Sequence, residues 1–139
     1  MDVIVLIGRV LFALVFLGSG VAHLTQTGNM VGYASSKGLP NPSLLVRASG
    51  VWMVVGALMV VLGVWMDLGF LLLAAFLVPA GVIFHDFWKV DDPQQASVEQ
   101  AQFMKNVSIT GACLALFALV AYLGPDLGLT ITEPLFDLS

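Results

Sequence analysis

ASGVWMVVGALMVVLGVWM (Ala48–Met66) and LGFLLLAAFLVPAGVIFH (Leu68–His85) are two apolar runs without a single Lys, Arg, Asp or Glu, parted by one acid, Asp67. Each is close to the ~20 residues an α-helix needs to cross the hydrocarbon of a bilayer. The lone acid leaves room only for a tight turn, Trp65-Met66-Asp67, so the stretch reads as a transmembrane helical hairpin. Working outward, Asn106–Pro125 is a third uncharged run of similar length. The run from Val3 to Leu24 is a fourth, interrupted only by Arg9, which lies near enough to its end to snorkel or to find an internal partner. A secretory signal peptide competes for this first segment, since Gly20-Val21-Ala22 has small residues suited to cleavage. No basic region precedes the apolar core, so a span is the better reading.

The composition agrees with the hairpin. Hydrophobic residues make up 59% of the 139 and charged residues 10%, whereas an ordinary soluble domain carries roughly a quarter charged. That inventory cannot build a water-facing surface. In lipid every backbone amide needs an internal partner, which leaves helices or closed barrels, and the alternation a barrel strand requires is absent. The expected fold is all-α, an integral membrane four-helix bundle in a single domain over residues 1–139. Its spans are expected at about 3–24, 44–66, 68–88 and 104–123, with a short acidic tail over 124–139. The formal charge of -4 and the lack of any long basic cluster exclude nucleic acid as a partner. A single cysteine, Cys113, allows neither an internal disulfide nor a dithiol pair and reads as packing.

Three connections join the spans. Residues 25–43 are polar and punctuated by Gly38 and Pro40, with Met30, Tyr33 and Leu39 able to seat a short interfacial helix. The second is the tight turn at Asp67. Residues 89–103 hold Asp91, Asp92, Pro93 and Glu99 and read as solvated, with helix resuming around Ser97. Lys37, Arg47, Lys89 and Lys105 flank the first and third connections, and only Arg9 lies toward the other face. The positive-inside rule then places loops 25–43 and 89–103 in the cytoplasm and both termini outside, in a cell inner (plasma) membrane.

Helical spacing assigns faces. Arg9, Phe12, Phe16, Ser19 and His23 form one stripe on the first span, and Ala74, Val78, Gly81, His85 and Trp88 another on the third. On the fourth, Lys105, Ser108, Gly111, Ala115 and Ala118 form a small-residue stripe expected to face the bundle. His23, Arg47, His85, Asp86, Trp88, Lys105 and Asn106 then share one depth near the cytoplasmic interface and are the candidate site. Pro79, shortly before His85, removes a backbone hydrogen bond and either opens a pocket or only adjusts packing. Two readings fit the histidines: metal or proton handling, or plain hydrogen bonding at helix ends. No tight ligand spacing such as His-x-x-x-His is present, so no metal centre is expected. Asp86 with Lys89 and Lys105 is expected to form an ion-pair network, which would equally receive an anionic or quinone head group. Trp52, Trp65, Trp88 and Tyr122 read as interfacial anchors.

These marks resemble the DoxX family. Gly8-Arg9, Phe16-Leu17-Gly18-Ser19-Gly20 and His23 are followed by Tyr33-Ala34-Ser35-Ser36-Lys37-Gly38-Leu39-Pro40, which is similar to the opening of DoxX proteins. Gly56-Ala57-Leu58, Phe84-His85-Asp86-Phe87-Trp88 and Gln102-Phe103-Met104-Lys105-Asn106 continue the resemblance, from Arg9 to Gly124. One departure stands out. Family members often carry a glutamate in the second span before the Gly-Gly-Leu-like stretch, and here that neighbourhood reads Trp52-Met53-Val54-Val55, so no carboxylate partner for Arg9 comes from it.

The resemblance implies quinone-linked redox work or a scaffold for redox partners, because some members are similar to membrane subunits of a thiosulfate:quinone oxidoreductase. The expected function is an accessory or scaffold subunit of a membrane redox or respiratory assembly, bordering a quinone site and contacting lipid and other membrane or redox subunits. The alternative is an autonomous quinone-dependent oxidoreductase acting on thiol or sulfur compounds. Transport of a small solute ranks behind both, since one span alone is broken by Pro and no charge sits at mid-membrane.

Overall fold

A computed structural model describes residues 1–138; Ser139, the last residue of the expected tail, lies outside them. The chain is built from α1 (Asp2–Thr25), α2 (Thr27–Ser36), α3 (Pro42–Leu62), α4 (Met66–Phe84) and α5 (Pro93–Leu123), and the described residues contain no strand. α1, α3, α4 and α5 are each long and apolar enough to cross a membrane. The fold is an all-α membrane bundle of four spans, with α2 as a short helix beside them.

Local chemistry sets the boundaries. Asn41 takes a left-handed conformation (φ 47°) and Pro42 follows at the first helical position of α3, where its missing N–H is no loss. The α3–α4 turn is made by two left-handed residues, Gly63 (φ 68°) and Trp65 (φ 40°). Gly38 (φ 73°) stops α2. α5 begins at Pro93, well ahead of the expected span start at 104, because Asp92 caps it by accepting a 3.0 Å hydrogen bond from the Gln95 amide. Its 31 residues extend about 46 Å, more than the ~30 Å of hydrocarbon, so its first turns project beyond the bilayer.

α1 packs on α3, α3 on α4 and α4 on α5, but no Cα of α1 comes within 8 Å of one in α5. The four spans therefore form an open arc. Glycine allows the close approaches within it: a Cβ on Gly20 would lie 2.9 Å from the Gly50 carbonyl oxygen, and one on Gly50 would lie 2.9 Å from that of Gly20. The expected face of α5 is corrected here. Lys105, Ser108, Gly111, Ala115 and Ala118 are all exposed, and the inward face carries Asn106, Ile109, Cys113, Phe117 and Val120. Small residues permit close approach without compelling it, and in lipid an apolar side chain gains little by choosing the protein over the acyl chains.

The end of the arc that holds both termini is closed by the chain itself. Arg9, 5% exposed, donates through Nε to the Val60 carbonyl (2.8 Å) and through Nη2 to Val61 (2.6 Å), at the C-terminus of α3, and through Nη1 to Leu129 (2.8 Å). The charge thus meets the negative end of a helix dipole and the carbonyls that the last turn leaves unpaired. Residues after α5 fold back as a strap. Ile131 and Thr132 donate to the Gly63 carbonyl at 3.0 and 3.1 Å, and the Trp65 amide donates to Thr132 Oγ1 at 2.8 Å. Asp67, fully buried, accepts the amides of Leu135 (2.7 Å) and Phe136 (2.8 Å) on Oδ2, while its Oδ1 has no partner.

Candidate functional site

The opposite end, which carries α2 and the α4–α5 connection, is hollow. A cavity of about 490 Å³ is walled by α1, α2, α3, α4 and the first membrane-level turns of α5. Its sides are apolar, with Phe16, Met53, Phe76, Leu77 and Ile83 among them, and Pro79 lies in its wall. Proline at that position leaves the Ala75 carbonyl without its usual amide partner. Polar groups collect where the cavity nears α2: Ser19, His23, Ser49, His85, Lys105 and Asn106. α1 and α5, the two ends of the arc, both line this space without close backbone approach, and Ser19 and Val15 on one and Lys105 on the other are exposed. The cavity is therefore bordered by lipid-facing side chains.

The two imidazoles are held from behind. Ser49 donates its only hydroxyl hydrogen to the Val46 carbonyl (2.8 Å), so His23 Nδ1, 2.8 Å from the same oxygen, is the donor in that contact. His85 Nδ1 donates to Glu99 Oε2 at 2.8 Å. In both rings Nε2 has no hydrogen bond within the described residues. Asn106 is 9% exposed, lines the same cavity, and its carboxamide likewise has no protein partner. Its carboxamide N and O are not fully buried, since Asp67 Oδ1 is the one fully buried polar side-chain atom without a partner among the described residues, so the cavity leaves them open to water or a ligand.

Of the residues singled out in the sequence, His23, His85, Lys105 and Asn106 come together around this cavity. Arg47, Asp86 and Trp88 do not. Arg47 is exposed on the outer face of α3. Trp88 is exposed and packs edge-on against Phe87 and Phe103, with ring centroids 5.2 and 5.6 Å away. Asp86 is buried beside a second, smaller cavity of about 260 Å³ whose lining includes Tyr33, Lys37 and Glu99. Its ion partners are Lys37 and, at 3.3 Å, Lys89. Lys105, expected in that network, instead donates to Gln102 Oε1.

Lys37 and Tyr33 tie α2 across the cavity to the end of α4. Tyr33 donates its hydroxyl to the Phe84 carbonyl at 2.7 Å, and its ring packs on that of Phe84. The hydrogen bond from Lys37 to Asp86 raises the lysine pKa above its ordinary value, and burial raises that of Tyr33. Ser49, Glu99, Lys37 and Tyr33 were not among the expected site residues. Glu99 is the one that carried a signal: an acid ahead of an uncharged span, on the same side of the membrane as His85.

The family model described as DoxX matches residues 4–86, from the first turn of α1 to the residue after His85. The chain belongs to the DoxX family. This DoxX protein is a multi-pass membrane protein whose spans face the lipid bilayer. The match takes in both histidines and Ser49 and ends before Glu99, Lys105 and Asn106, so the α5 side of the cavity and the strap lie beyond it. No curated protein and no solved structure matches the chain. No group of three or more His, Cys, Asp or Glu able to hold a metal ion occurs among the described residues.

Proposed function

We propose that this DoxX protein is a membrane subunit of a redox assembly and that its cavity receives the ring of a membrane quinone. The loop end faces the cytoplasm, as the distribution of Lys and Arg favours, and the membrane of this reading is the plasma membrane. One observation carries the reading: Asn106, about nine-tenths buried and with no hydrogen-bond partner for its carboxamide among the described residues, lines an apolar cavity that two imidazoles also line. Apolar walls with a few convergent polar groups are the usual make-up of a small-molecule site. The wide backbone separation of α1 and α5, with exposed lining residues on both, supports a ligand that arrives from the bilayer. A quinone ring carries carbonyl oxygens that the Asn106 N–H groups can serve, and an apolar tail that remains in lipid. The subunit role follows from the electron path. Cys113, the chain's one cysteine, is fully buried in the core, so a thiol–disulfide donor has to come from another protein.

Titrating the purified full-length protein with a short-chain benzoquinone tests the site. Saturable binding is expected, weakened about tenfold or more by Asn106→Leu, since that removes the carboxamide N–H groups offered to the ring carbonyls. Absence of saturable binding, or unchanged affinity in Asn106→Leu, removes the reading. Gentle extraction followed by cross-linking tests the assembly; recovery of the chain alone, at native expression, would count against a subunit role.

A further inference from the structure

The hydrogen-bond state of the two histidines says which redox form the cavity prefers. We infer that it binds the reduced, dihydroxy form of its ring ligand more tightly than the dicarbonyl form, an inference that rests on the quinone reading above. A neutral imidazole has one N–H and one lone pair. In His23 the N–H is committed at Nδ1, because Ser49 has already given its hydrogen to Val46. In His85 it is committed at Nδ1, because the Glu99 carboxylate only accepts. With both rings neutral, each keeps a lone pair on Nε2, and both line the same cavity, His23 from α1 and His85 from just past the end of α4. Two acceptors facing a dicarbonyl ring repel its oxygens, whereas a ring diol supplies two O–H donors. Asn106 does not discriminate, since a carboxamide offers both an N–H and a carbonyl. Lys105 is engaged by Gln102 and exposed, and the Ser19 hydroxyl, like the carboxamide, can either donate or accept. Ser49 and Glu99 are thus positioning residues: they reach the ligand only by fixing which imidazole nitrogen carries hydrogen.

The test uses the purified full-length chain under anaerobic conditions and three ligands of one ring size: a short-chain benzoquinone, its hydroquinone and the hydroquinone dimethyl ether, which has the diol's shape without its donors. Two additional neutral hydrogen bonds predict on the order of tenfold or more tighter binding of the hydroquinone than of either other ligand. A tenfold preference for the reduced form raises the bound couple's two-electron potential by about 30 mV. Ser49→Ala and Glu99→Gln each shrink the preference, and Glu99→Asp restores part of it. Nitrogen-15 NMR of the imidazoles reads the tautomers directly: Nδ1–H at both rings in the parent, a mixture at the affected ring in each variant. Elution volume and helicity equal to the parent show that the variants are folded. Equal affinity for hydroquinone and dimethyl ether, or tighter binding of the benzoquinone, overturns this inference while leaving the quinone site standing. Failure of all three ligands to saturate overturns both.

Discussion

At the terminal end of the arc, Arg9 places guanidinium hydrogens on three carbonyls and Asp67 accepts two strap amides on one oxygen. At the loop end, His23, His85 and Asn106 line a cavity, and the two Nε2 atoms and the carboxamide have no hydrogen bond among the described residues. Both ends face the same problem, polar groups at membrane depth where unmet hydrogen-bonding capacity is costly. One end meets it with the chain's own backbone, apart from Asp67 Oδ1, the one fully buried polar side-chain atom without a partner among the described residues. The other leaves its polar groups open to a cavity, and that contrast is what supports the proposed ligand site.

The largest effect is expected at Arg9. Arg9→Met leaves the Val60, Val61 and Leu129 carbonyls without their charged donor, and hydrogen bonds to charged groups are worth about 1.5–3 kcal/mol each. A loss of about 3 kcal/mol or more is expected in detergent unfolding, with Arg9→Lys recovering only part because one ammonium cannot span carbonyls on α3 and on the strap. An Arg9→Met protein as stable as the parent would erase the distinction between the two ends.

Next comes Asp67. Asp67→Ala leaves two part-buried amides without their acceptor, at about 1–2 kcal/mol, and should speed hydrogen exchange at Leu135 and Phe136 above all other strap positions. Asp67→Asn keeps a carbonyl oxygen for both amides and should cost less. If the two substitutions exchange alike, Oδ2 is not what holds the strap.

Much of the fold was legible in the sequence, because bilayer thickness converts run length directly into span number. Faces were harder to read. Gly20, Gly50, Gly56 and Gly69 do mediate close helix contacts, yet Ser108, Gly111, Ala115 and Ala118, which look the same in the sequence, face outward. The site was half legible. His23, His85, Lys105 and Asn106 shared a depth and a side. Trp88 and Asp86 also shared that depth, but the chain leaves α4 at Phe84, so residues beyond it no longer follow the helical stripe. Arg9's partners were invisible for another reason: they are backbone carbonyls, which every sequence contains, and one belongs to a tail that reads as unstructured acid.

A smaller effect of opposite sign sharpens the comparison at Asn106. Asn106→Leu replaces a polar side chain that has no protein partner by an apolar one, so the protein without added ligand should be as stable or more stable, by up to about 1 kcal/mol, while ring binding is lost. A destabilisation of about 2 kcal/mol would instead make Asn106 as structural as Arg9.

The smallest effect concerns the clasp of α2 over the cavity. Lys37 is raised above its ordinary 10.5 by its hydrogen bond to Asp86, so the folded state favours the protonated lysine. The contribution is fully present below about pH 10.5, the unfolded value, and is lost as pH rises through the higher folded one. Tyr33, raised from 10.0 by burial, acts in the same direction, since its neutral hydroxyl is the donor to Phe84. A spin label on Ser35→Cys reads the clasp, because Ser35 is exposed and Cys113 is fully buried and out of reach of the reagent. The label should be immobile at neutral pH and loosen only above that alkaline threshold. Lys37→Met should loosen it at neutral pH already and leave the strap amides at Leu135 and Phe136 unchanged. Equal mobility in the parent and in Lys37→Met at neutral pH would mean that α2 is held by its apolar side alone, through Met30 and Ala34 in the cavity wall, and that the ion pair adds nothing to closing the loop end.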